Sequence, residues 1–191
     1  VIYYLGLGVK PDYAKAIDWY RKSADQGNAR AQSNLGALYE EGFGVKQDYA
    51  QARAWYEKAA AQGNTDAQTN LGRMYEKGLG VQQDYAQARA WFEKAAVQGN
   101  AGAQSNLGGL YAAGHGVKQD YAQARAWYEK AAAQGYTYAQ NNIGELYANG
   151  WGVQQDYAQA RAWFEKAAAQ GNDHAQINLG DLYADGHGVQ Q

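Results

Sequence analysis

Apolar positions along the chain follow a helical spacing that restarts at regular intervals. Between residues 64 and 77, Ala67, Leu71, Met74 and Tyr75 fall on one stripe of a helix. Asn64 precedes them as an N-cap, Asp66 suits the positive helix start, and Gly78 can end the helix in a left-handed conformation. A short turn, Gly78-Leu79-Gly80-Val81, follows. In the next stretch Tyr85, Ala88, Trp91, Phe92, Ala95 and Ala96 form a broader apolar face that stops at Gly99. Asp84 and Gln87 there have the spacing of a capping box. The pattern predicts two helices, about 64–77 and 84–98, joined by short turns.

That pair recurs along the chain. Trp stands at 19, 55, 91, 127 and 163, in steps of 36 residues. Tyr13, Tyr49, Tyr85, Tyr121 and Tyr157 keep the same step, as do Gly36, Gly72, Gly108, Gly144 and Gly180. Complete units span 28–63, 64–99, 100–135 and 136–171, with partial units at 1–27 and 172–191. Such a series forms an antiparallel helix-hairpin solenoid in which each hairpin contacts mainly its neighbours. Small Ala and Gly positions allow close helix approach, and the five in-register Trp residues are expected in the core. Val1 falls inside a helix, with Tyr3 in phase with Tyr39 and no initiator Met, so a fragment or processed form is expected. The last helix leaves one flank without the helix that would follow it, and end-to-end self-packing is expected there.

The motif Asp-Tyr-Ala-x-Ala-x-x-Trp-Tyr/Phe-x-Lys-Ala-Ala-x-x-Gly, seen at 48–63, resembles the Sel1-like repeat. So does its continuation at 67–81, Ala-Gln-x-Asn-Leu-Gly-x-Leu/Met-Tyr-x-x-Gly-x-Gly-Val. The resemblance covers essentially the whole chain. It implies an all-α, right-handed α/α superhelical solenoid related to the tetratricopeptide repeat, with a concave groove used for protein–protein contacts. It also implies a bacterial envelope or secreted location slightly ahead of others, without fixing one. A Helicobacter group of the family pairs cysteines in each unit; this chain has none.

Differences between the copies show where selectivity can reside. The second helix hardly varies, and its Arg, Glu and Lys positions read as a solvated face with weak pairs. The first helix varies on one stripe. With residue 31 at zero and about 100° per residue, residues 30, 34, 37 and 41 lie roughly 240–300° round, beside the core stripe. This polar stripe is the expected groove face. Its rungs are Arg30, Asn34, Ala37, Glu41; Asp66, Asn70, Arg73, Lys77; Gly102, Asn106, Gly109, Ala113; Tyr138, Asn142, Glu145, Asn149; and His174, Asn178, Asp181, Asp185. Only the Asn is common to all. A row of amides can hold an extended peptide backbone, or can tie down backbone inside the solenoid. Arg73 and Lys77 make a basic point, Glu145, Asp181 and Asp185 an acidic end, and the Gly102, Gly109, Ala113 rung is bare. The expected partner therefore carries basic residues toward the C-terminal half and an acidic one toward the second full unit. Tyr136, Tyr138 and Trp151 depart from the other copies and are candidates for an aromatic patch. Trp151 shares a turn position with Leu7, Phe43, Leu79, His115 and His187, a row suited to loop packing or to a second contact edge.

Composition narrows the chemistry. The 17 Lys+Arg against 19 Asp+Glu argue against a polybasic nucleic-acid or membrane surface. No apolar run approaches the roughly 20 residues of a membrane span. Without Cys there is no disulfide framework, thiol nucleophile or Cys-based zinc site. Ser23, Ser33 and Ser105 begin no Ser-x-x-Lys, no Gly-x-Ser-x-Gly appears, and the Gly-x-Gly-Val turns lack the Gly-Lys-Ser/Thr of a phosphate loop. His115, His174 and His187 lack short ligand spacing. No catalytic residue, metal or cofactor is expected. The reading that results is a non-catalytic scaffold binding a peptide or protein segment. Alternatives are an inhibitor or immunity protein against one folded bacterial toxin, and a glycan- or cell-wall-binding module using the three aromatics.

Overall fold

The computed structural model describes residues 12–187, so Val1, Tyr3 and Leu7 lie outside the described residues. Ten helices and no strand occur among the described residues. They form two compact units that meet in sequence at Gln98 and Gly99. Unit 1 holds α1 (Tyr13–Asp25), α2 (Ala29–Glu41), α3 (Tyr49–Ala61), α4 (Thr65–Lys77) and α5 (Tyr85–Val97). Unit 2 holds α6 (Ala101–Ala113), α7 (Tyr121–Ala133), α8 (Thr137–Asn149), α9 (Tyr157–Ala168) and α10 (Asp173–Ala184). The elements come as repeated antiparallel hairpins: α2 with α3, α4 with α5, α6 with α7, and α8 with α9.

Side-chain caps set the helix starts. Asn28, Asn64, Asn100 and Asn172 each accept from the amide three residues on, at 2.8–2.9 Å. Asp48, Asp84, Asp120 and Asp156 do the same for the second helices. Tyr136 occupies the Asn position of α8 and supplies no cap. The first helices α2, α4, α6 and α8 end at left-handed glycines such as Gly42 (φ 73°) and Gly78 (φ 69°), where an L side chain is strained.

The core corrects one sequence expectation. The in-register Trp residues are not its centre: Trp19 is 61% exposed, and Trp55, Trp91, Trp127 and Trp163 are half-buried. Each lies under a lysine one turn on, with Lys58 4.0 Å from the Trp55 ring centre and Lys130 3.8 Å from that of Trp127. The buried aromatic is the next residue along the chain: Tyr56, Phe92, Tyr128 or Phe164. The cause is the glycine of the preceding helix. A Cβ on Gly36 would stand 2.7 Å from the Tyr56 ring, one on Gly72 2.5 Å from Phe92, and one on Gly108 2.6 Å from Tyr128. The ring fills the volume the glycine leaves, drawing that position inward and leaving Trp at the rim.

Glutamines bind the repeats internally. Buried Gln32, Gln68, Gln104 and Gln140 accept from Gln62, Gln98, Gln134 and Gln170 at 2.8–2.9 Å. Gln32 and Gln68 also donate to the carbonyls of Ala24 and Ala60. In the turns, Gln47, Gln83, Gln119 and Gln155 donate back to the ends of the first helices and to a tyrosine hydroxyl. Such closed pairs satisfy amides that would otherwise be buried without partners.

Candidate functional site

The predicted polar stripe runs along the first helices, α2 and α4 in unit 1, and α6, α8 and α10 in unit 2. Its outer members Arg30, Glu41, Asp66, Lys77, Ala113, Tyr138, Asn149, His174, Asp181 and Asp185 are exposed. Asn34, Ala37, Asn70, Arg73, Gly102, Asn106, Gly109, Asn142, Glu145 and Asn178 are half-buried.

In unit 1 the space between α2 and α4 is filled. The Arg73 guanidinium reaches Glu40 Oε1 at 2.6 Å, and the Tyr56 hydroxyl donates to Glu40 Oε2 at 2.7 Å. The Glu40 side chain is only 6% exposed. Asn70 Oδ1 accepts from Arg73 at 3.4 Å. Burial and the neighbouring Glu40 carboxylate push the Tyr56 phenol far above its ordinary range, so it stays protonated as a donor. Arg73 is thus a member of an internal ion pair, and the free basic point expected from the sequence reduces to Lys77. The sequence reading missed Glu40, which lies off the stripe. The available signal was that Glu40 and Arg73 fall in successive units at positions a neighbouring helix pair brings together.

In unit 2 the same space is polar but differently arranged. Glu145 Oε1 accepts from Asn141 at 2.8 Å and from Asn178 at 3.4 Å, and Asn178 also donates to Asn141 Oδ1 at 2.9 Å. Asn141, which stands where the preceding copies have Ser33, Thr69 and Ser105, is buried and was not singled out in the sequence. Burial and then the Glu145 carboxylate raise the Tyr128 phenol well above its usual range, against a hydrogen bond from Asn142. Of the repeated Asn residues, Asn70, Asn142 and Asn178 therefore engage neighbouring side chains. Toward the C-terminal ends of α8 and α10 lies a cavity of about 300 Å3. Glu145, Asn149, Asn178, Asp181 and Asp185 of the predicted stripe line it, over Phe164 and Leu182.

The three candidate aromatics do not form one patch. Tyr136 and Tyr138 lie 5.8 Å apart in a tilted pair, and Tyr138 meets His174 at 6.2 Å. Trp151 follows the far end of α8, roughly 20 Å along the helix by its rise, and stacks on Tyr121 at 5.7 Å. Phe43 on Tyr13 and His187 on Tyr157 repeat that contact at 5.0 and 4.2 Å. The turn row is a packing position against the start of the preceding second helix, which removes Trp151 from any shared stacking platform. Among the described residues, no group of three or more His, Cys, Asp or Glu is placed to hold a metal ion. No described helix is long and apolar enough to cross a membrane.

These hairpins, with a variable polar face on a constant frame, define an α-helical repeat protein. The Sel1 repeat pattern matches residues 1–28, 29–64, 65–100, 101–136, 137–172 and 173–191. The chain belongs to the Sel1 repeat family, whose members are in general non-catalytic protein-interaction scaffolds. A Sel1 repeat protein from Oxalobacter formigenes is 39% identical, with a TM-score of 0.88 over 97% of this chain and 76% of its own. A protective antigen of uropathogenic Escherichia coli with an SLR fold is 44% identical, with a TM-score of 0.84. The whole of the present chain matches it and spans 41% of its length. An immunity protein from Pseudomonas aeruginosa is 26% identical, with a TM-score of 0.66 over 87% of this chain and 62% of its own. No curated protein matches the chain.

Proposed function

We propose that the chain is a non-catalytic scaffold that holds a peptide or protein segment in the grooves between successive first helices. The observation that carries this reading is the coincidence of sequence variation with an open cavity. Glu145, Asn149, Asn178, Asp181 and Asp185, which vary or stand on the varying stripe, line the space between α8 and α10. The second helices, which hardly vary, hold ordinary surface pairs such as Arg53 with Glu57 at 3.4 Å. A tethered mixed-sequence peptide library tests it. The wild type retains a defined set of peptides, and a Tyr138→Ala, Asn149→Ala variant with an unchanged circular dichroism spectrum loses them. Equal retention by both moves the site away from this face.

A second reading is an inhibitor of one folded bacterial protein, as in an immunity pair. The likeness to the Pseudomonas immunity protein over most of this chain favours it. It predicts one stoichiometric complex of nanomolar affinity in place of weaker binding to many peptides. Calorimetry against candidate toxins showing micromolar or no binding would count against it.

A further inference from the structure

The two units treat one equivalent space differently, and the difference specifies a ligand chemistry. In unit 1 the space between neighbouring first helices already seats a guanidinium: Arg73 sits there against Glu40. Three repeats later, Ala148 stands where Glu40 was, Asp181 where Arg73 was, Phe164 where Tyr56 was and Asp185 where Lys77 was. The internal cation is gone, the buried internal anion is gone, and a cavity of about 300 Å3 takes their place. Its lining includes the carboxylates of Glu145, Asp181 and Asp185 and no Arg or Lys. Phe164 and Leu182 give it an apolar floor, and the stacked Tyr157–His187 pair stands at one side.

We infer that this cavity receives an arginine side chain from the bound partner. The inference rests on the peptide-groove reading and names what the groove selects. Unit 1 demonstrates that a guanidinium fits between two such helices at hydrogen-bonding distance from a carboxylate. Guanidinium suits the unit 2 lining better than ammonium does. Its planar fork can engage two carboxylates at once, and its methylene stem can lie along Tyr157 at the cavity wall. A lining with three carboxylates and no Arg or Lys complements a cationic occupant and disfavours an acidic one.

The test is an NMR titration at pH 7.5 with a blocked Gly-Ser-Arg-Ser-Gly peptide and its citrulline counterpart, which keeps the shape and removes the charge. Backbone amides near the C-terminal ends of α8 and α10 should shift. Arginine should bind about tenfold or more tightly than citrulline, the usual worth of a charge-assisted hydrogen bond. Asp181→Asn with Asp185→Asn should weaken arginine binding by a similar factor. Ala148→Glu with Asp181→Arg rebuilds the unit 1 ion pair in the cavity; it should fold, by circular dichroism, and lose arginine binding altogether. Equal affinity for the two peptides, or undiminished binding by the rebuilt variant, overturns the inference. If the wild type retains library peptides without arginine enrichment, this inference falls and the scaffold reading stands. If it retains no peptide of any composition, both fall.

Discussion

Units 1 and 2 share one frame and use it in opposite ways. Both stack first helices against second helices through a glycine that admits an aromatic ring. In unit 1 the gap between α2 and α4 is closed by Glu40, Tyr56 and Arg73, all satisfied within the chain. In unit 2 Asn178 of α10 donates to Asn141 and Glu145 of α8, and toward the C-terminal ends of these helices lies a cavity whose lining includes three carboxylates. Helix starts separate the units as well. Asn28, Arg30 and Asp66 of unit 1 correspond to Tyr136, Tyr138 and His174 of unit 2. A few exchanges, one of them at the ring itself (Tyr56 against Phe164), thus separate a space closed by internal pairs from one that holds a cavity, while the glycine–aromatic packing is kept.

The sharpest way to break this contrast is to give unit 1 the residues of unit 2. Arg73→Asp places a second carboxylate beside Glu40, whose burial prevents hydration from relieving the repulsion. The expected loss is about 3 kcal/mol, the low end of the range for breaking a buried ion pair, because Arg73 is only half-buried. Adding Glu40→Ala brings two of the four exchanged positions to their unit 2 residues and removes the buried carboxylate, so it should recover part of that loss. Urea unfolding of the two single variants and the double variant gives the coupling directly. Additive effects would mean that Glu40 and Arg73 do not act as a pair.

What the units share should be the next most sensitive feature. Gly72→Ala drives a methyl to within 2.5 Å of the fully buried Phe92 ring and should cost about 1–3 kcal/mol. Gly180→Ala is the control. Nothing lies within 4 Å of its added Cβ, so helix propensity alone acts and stability should hold or rise by up to about 1 kcal/mol. Equal losses at the two positions would make the ring contact irrelevant.

The tyrosines that alternate with phenylalanine at the ring position add a pH dependence. Burial holds the Tyr56 phenol protonated in the folded chain, while in the unfolded chain it ionises near pH 10.0. Above that pH the unfolded state binds fewer protons, so stability falls as pH rises. The slope is up to about 1.4 kcal/mol per pH unit for this group. Tyr56→Phe should be about 1 kcal/mol less stable than wild type at pH 7, through the lost hydrogen bond to Glu40. The gap should close by about pH 11. Parallel stability curves from pH 7 to 11 would contradict the assignment.

The sequence carried the period, the hairpins and most caps because these depend on residues close together in one repeat. The expected helices at about 64–77 and 84–98 appear as Thr65–Lys77 and Tyr85–Val97. The choice between Trp91 and Phe92 as the buried ring was not readable from their helix alone, since both lie on its broad apolar face. It is decided by Gly72 on the neighbouring helix. The same limit applies to Glu40 with Arg73, and to the Gln32–Gln62 bond. Each joins positions about a repeat apart in sequence, and each becomes visible only when two helices are set side by side. The stripe that lines the unit 2 cavity was readable because variation among copies marks a face without requiring its neighbours.

The smallest expected effect separates two explanations of the aromatic end of unit 2. Tyr136 forgoes the cap that Asn provides in other copies, and its half-buried ring packs on the unit 2 core. Tyr136→Asn restores a cap worth about 1 kcal/mol. It also removes apolar burial of similar size, at roughly 25 cal/mol per Å2. The net change in stability should lie within about 1 kcal/mol of zero. Peptide affinity then discriminates. If the ring is retained to support Tyr138 beside His174 in the groove, the variant unfolds at nearly the wild-type urea concentration yet binds library peptides more weakly. If the ring only fills space, affinity is unchanged and the two units differ at their helix starts without consequence for binding.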